Sequence, residues 1–86
     1  MPTHSHTFVE TYDGIVAFGL DRELDENTVI YYLQKFSDDE VMRHLVPKLT
    51  DADLQDLYNI LDRIIKQHFS KPDYHRIFLK EANHHD

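Results

Sequence analysis

Cysteine is absent from this chain, which excludes disulfides, thiolate metal sites and a cysteine nucleophile in one step while leaving the compartment undetermined. Only two glycines and three prolines interrupt it, and it contains no internal repeat and no low-complexity tract. No apolar stretch approaches the ~20 residues needed to span a bilayer, and the segment Met1–Thr7 has no basic region followed by an apolar run. A cytoplasmic protein is expected. Bases are scarce too, with 9 Lys and Arg against 16 Asp and Glu and a formal net charge of -7 with His neutral. Such a charge repels both a phosphate backbone and an anionic membrane surface, so neither nucleic acid nor membrane is an expected partner. Also lacking are a Ser-His-Asp order, a phosphate-binding glycine loop and a nucleophile elbow. No catalytic residue, metal ligand or cofactor is assigned, and enzymatic activity is the less favoured class.

What the chain does contain is a long amphipathic pattern from Thr50 to Phe69. Thr50 stands at an N-cap position, Asp53 completes a capping box, and Leu54, Leu57, Tyr58, Leu61, Ile64, Ile65, His68 and Phe69 follow at three- and four-residue steps. Those side chains share one arc, with Ile60 at its edge, while Asp56, Asn59, Asp62, Arg63, Lys66 and Gln67 take the other side. An arc that wide exceeds what one neighbouring helix covers, so this segment is expected to be the centre of a small bundle. Truncating Leu61 to Ala there should cost about 2 to 5 kcal/mol through an unfilled cavity. With 86 residues and 41% hydrophobic residues, the expected organisation is one domain, 1–86, with flexible tails at 1–7 and 83–86. Its fold class is mainly α, with about four helices near 26–36, 38–46, 51–69 and 71–82.

An N-terminal β-hairpin is predicted before those helices, with strands at 8–12 and 15–19. Asp13-Gly14 lies between two β-favouring runs, the short-range signal for a two-residue type I′ turn. The competing pattern places Phe8, Tyr12, Ile15 and Val16 on one helical face, with Gly14 costing ~1 kcal/mol relative to Ala. In the hairpin register Val9, Val16 and Phe18 share one face and Phe8, Tyr12 and Ile15 the other, so the ribbon wants two partners.

Local start signals mark the helices that follow. Asp25 is the expected N-cap of the first, whose apolar arc is Val29, Ile30, Tyr32, Leu33 and Phe36, with Tyr31 on the opposite side. Ser37 and Glu40 form a capping box for the second helix, and Pro47 limits it. Ser70 starts the last one, with Pro72 in the first turn and Tyr74, Ile77, Phe78 and Ala82 on its apolar face. The carboxylates Asp21, Glu23 and Asp25 resemble the first half of a calcium loop, but Glu26 stands where the turn glycine belongs and Tyr32 where a bidentate Glu belongs. They read as helix-start acids.

Histidine offers the remaining chemistry. His4 and His6 lack a third ligand, and the Glu81-x-x-His84 spacing of di-iron helices has no second copy. His44 lies one turn after Glu40 and suggests a surface ion pair. His68 and His75 flank the turn between the last two helices, where they could approach each other.

Two function classes emerge. The leading one is a small acidic helical protein-interaction module, self-associating as a homodimer or binding another protein, with Phe8, Val9, Phe18 and Tyr31 as its interface. The alternative is a small-molecule or metal-binding protein using His44, His68 or His75 with nearby acids.

Overall fold

The computed structural model describes residues 4–81, which are mostly helical and include no strand. They fall into two compact units, Ser5–Lys48 and the residues from 49 onward.

The first unit begins with a single helical turn, α1 (Phe8–Thr11), where the hairpin was expected. The amides of Glu10 and Thr11 donate to Thr7 O and that of Tyr12 to Phe8 O. The four-residue spacing of Phe8 and Tyr12 then stacks their rings, with centroids 5.0 Å apart and planes 16° from parallel. Asp13-Gly14 makes no type I′ turn. Tyr12 instead folds back so that its hydroxyl donates to Ile15 O at 2.7 Å, and a Cβ on Gly14 would lie 2.7 Å from the ring. Gly14 is thus a position of close approach between backbone and ring. The strands predicted at 8–12 and 15–19 give way for a physical reason: a two-stranded ribbon has no third strand here to pair with. The peptide groups of Ala17 find their partner in a side chain of the next helix.

That helix is α2 (Arg22–Phe36). It starts four residues before the predicted 26, because Asp21, not Asp25, is its N-cap: the Asp21 backbone is extended and its carboxylate accepts from Leu24 N at 2.8 Å. Asp25 turns outward from this role and accepts from Gly19 N at 2.8 Å. Gly19 has φ 99°, a left-handed conformation that favours glycine, and this lets the chain double back into the helix start.

After Ser37, whose hydroxyl donates back to Gln34 O, α3 (Asp39–Leu45) begins on Asp38, whose carboxylate accepts from Glu40 N and Val41 N. The expected capping box of Ser37 with Glu40 does not form; Asp38, one residue later, caps the helix by its carboxylate alone. A 3-10 turn, Val46–Lys48, carries Pro47 and ends the unit.

In the second unit, α4 (Asp51–His68) matches the predicted helix at 51–69 to within one residue. Both arms of its capping box are formed, Asp53 N donating to Thr50 Oγ1 at 3.0 Å and Thr50 N to Asp53 Oδ2 at 3.1 Å. The Lys66 ammonium sits 3.0 Å from Asp62 on the polar side; that hydrogen bond, reinforced by Coulomb attraction, raises the lysine pKa above its ordinary value.

Ser70 caps α5 (Lys71–Asp73) as expected, accepting from Asp73 N at 3.2 Å. The helix then widens into a π turn, Tyr74–Phe78, where Leu79 N donates to Tyr74 O. This turn stacks Tyr74 on Phe78 and sets Phe78 edge-on to Phe69 at 5.9 Å. Lys80 at φ 60° stops the helix short of the predicted 82. Residues 82 to 86, like 1 to 3, lie outside the described part, so His84 and most of the two predicted tails do too.

Candidate interaction surface

α1 and the segment after it rest on a side of α2 that looks unpromising in the sequence. Thr28 is the most buried residue described, at 1% exposure, and its hydroxyl bonds both peptide groups of Ala17: it donates to the carbonyl at 2.6 Å and accepts from the amide at 3.1 Å. Two turns further along α2, Gln34 Oε1 accepts from Val9 N at 2.9 Å. Between them Tyr31 lies 6.0 Å from the Tyr12 ring, with Lys35 Nζ 5.6 Å above its own face. Thr28, Tyr31 and Gln34 thus form a stripe at helical spacing that anchors the N-terminal segment.

The opposite outcome meets the arc expected to be buried. Val29, Ile30, Tyr32, Leu33 and Phe36 all remain exposed. Hydrophobicity is spread almost evenly around α2, so its packed side could not be chosen from periodicity, and hydrogen bonding to the N-terminal backbone decided the matter.

α4 behaves differently in one respect only. Its apolar side chains are concentrated on one side, yet Leu54, Leu57, Tyr58, Ile60, Leu61 and Ile64 are all exposed, Tyr58 at 66% and Leu61 at 50%. The expectation that Leu61 lies in a closed core is therefore corrected. No apolar side chain is fully buried anywhere among the described residues.

Of the four residues predicted as an interface, Phe8, Val9 and Tyr31 come together. They are half-buried within one unit, Phe8 through the Tyr12 stack and Val9 through Gln34. Phe18 stands outside that group at 70% exposure, in the irregular segment before α2. The sequence reading missed Thr28 and the α4 face as an open surface. A polar residue amid a helix with no clear apolar side was the available signal for the first.

The histidines do not converge. His44 is exposed, and its Nε2 accepts from Lys48 Nζ at 3.0 Å in place of the expected pair with Glu40. His68 is exposed at the end of α4, while His75 is half-buried, with Nδ1 2.9 Å from Glu81 Oε1 and Tyr74 edge-on to its ring. No group of three or more His, Asp or Glu side chains is placed to hold a metal among the described residues.

One open cleft of about 490 Å³ lies within the first unit, lined among others by His6, Glu10, Gln34, Lys35, Asp38 and Asp39. It is charged and shallow in chemistry: Asp38 is already committed to capping α3 and Gln34 to Val9. No described helix is long and apolar enough to cross a membrane. Compared with known proteins, the chain matches no family model, no curated protein and no solved structure.

Proposed function

We propose that this chain is a small acidic helical module of the cytoplasm that works by binding protein, its apolar helix faces being completed by another polypeptide. One observation carries the reading: a chain that is 41% hydrophobic has no fully buried apolar side chain among its described residues. Half-exposed Leu and Ile side chains forgo roughly 1 kcal/mol each of the stabilisation that full burial brings. A domain this size has little net stability with which to offset that loss. Exposed apolar surface on two helices, flanked by acids that keep the free chain in solution, is the arrangement expected of a surface that meets a partner.

The test is amide hydrogen exchange on the full chain at micromolar concentration. Fast exchange across α2 and α4 that slows as concentration rises, or as a binding protein is added, supports the reading. Slow exchange in a monomer that no dilution accelerates overturns it, because the chain would then be covering its own faces. The alternative, a metal or small-molecule site on His44, His68 or His75, draws its support from the His75–Glu81 contact alone. Metal content of tag-free protein measures it directly.

A further inference from the structure

The geometry points to Asp13-Gly14 as a site of covalent self-modification, where aspartate isomerises to isoaspartate and the change loosens the N-terminal segment from α2. Nowhere else in the sequence does an Asp or Asn precede a glycine, the other glycine following Phe18. Every other described Asp or Asn lies inside a helix or at its N-cap, from Asp21 to Asp73. Asp13 and Gly14 are exposed and outside any helix. Among the described residues, neither the Asp13 carboxylate nor the Gly14 amide has a bonding partner. Glycine leaves its own amide nitrogen unshielded by a Cβ and lets the backbone turn freely.

The step needs no partner but water. Gly14 N attacks Asp13 Cγ, an N–C bond forms, and the carboxyl hydroxyl leaves with the amide proton as one water, closing a five-membered succinimide. Attacking and attacked atoms belong to adjacent residues, which replaces a bimolecular encounter by ring closure. Water then adds to one of the two ring carbonyls. Opening at Cγ restores aspartate; opening at the main-chain carbonyl breaks its bond to Gly14 N and leaves the chain running through Cβ and Cγ. No atom is gained or lost overall. The main chain is nevertheless longer by one methylene carbon, and the free carboxylate now hangs from Cα.

That extra atom falls where the fold has no slack. The linkage lies between two ties to α2, Val9 N to Gln34 Oε1 and the Ala17 peptide groups to Thr28. It also lies within the loop that Tyr12 closes by donating to Ile15 O at 2.7 Å. The Tyr12 ring passes so near that a Cβ on Gly14 would come within 2.7 Å of its Cζ. A longer backbone here displaces the ring, opening its bond to Ile15 and, through it, the tie of Ala17 to Thr28.

The experiment warms the full chain at neutral pH for several weeks and reads isoaspartate with an isoaspartate-specific methyltransferase and a labelled methyl donor, peptide mapping giving the position. Label should concentrate at residue 13. Asp13→Glu, which must close a slower six-membered ring, should lower it at least about tenfold. Asp13→Asn should react through the same five-membered ring, losing ammonia at residue 13 faster than wild type loses water. In the isomerised fraction, separated by chromatography, the Ala17 amide should exchange at least about tenfold faster than in fresh protein. Absence of label, label spread over other residues, or label undiminished in Asp13→Glu overturns the site. An isomerised fraction whose Ala17 amide exchanges no faster than before overturns the loosening. So does an Ala17 amide already unprotected in fresh protein, since no tie then exists to undo.

Discussion

Thr28 does with one hydroxyl what a neighbouring strand would do with a peptide unit: it satisfies both the amide and the carbonyl of Ala17. Replacing it by the nearly isosteric Val keeps the volume but leaves two peptide groups and a packed seam without partners. Thr28→Val should therefore destabilise by about 1 to 3 kcal/mol in urea titration at fixed protein concentration. Thr28→Ser, which keeps the hydroxyl, should recover most of that loss. If Val and Ser behave alike, the bond to Ala17 contributes nothing and the segment 13–20 is held by other means. Gly19 is held in a similar way, its amide donating to Asp25 while its backbone is left-handed.

At the scale of the element, α4 is defined by its ends and left open along its side. Thr50→Ala removes one arm of a complete capping box and should cost about 1 kcal/mol, read from the same titration. Leu61→Ala is the more informative change. In a closed core its cost would be about 2 to 5 kcal/mol, but at 50% exposure no cavity can form around it within one chain. The expected outcome is a loss below about 1 kcal/mol at low micromolar concentration, growing toward that core range as the chains assemble. A large loss independent of concentration would mean that α4 is buried by its own chain. α2 shows the complementary case: its hydrogen-bonding side is occupied, while Val29, Ile30, Tyr32, Leu33 and Phe36 stay exposed.

For the whole molecule, charge and mass action give two further tests. At a formal -7, the chain lacks the cations whose neutralisation of phosphates drives nonspecific binding, so no binding to random duplex DNA is expected at physiological salt. Micromolar, salt-sensitive retardation in a gel shift would contradict this. If assembly completes the fold, the melting midpoint should rise by about 5 °C or more between ~5 and ~500 μM, because only the associated state gains from added protein. A midpoint that ignores concentration would identify a self-sufficient monomer.

The sequence by itself determined what is settled within a few residues of chain: that most of it is helical, that α4 runs from its Thr50–Asp53 box to His68, that Ser70 starts another helix, and that the molecule is acidic. Capping bonds join residues three apart, so their signal sits in one short window. Other outcomes were decided only in three dimensions. Asp13-Gly14 carried the local mark of a hairpin, yet Phe8 and Tyr12 stacked as a helical turn and Ala17 bonded a side chain eleven residues away. α2 turned its Thr28, Tyr31 and Gln34 side inward because backbone amides needed partners there, not because that side was apolar. Periodicity reveals that a helix has an apolar face; whether that face meets the same chain, a second copy or water depends on contacts between distant residues, which no local pattern contains.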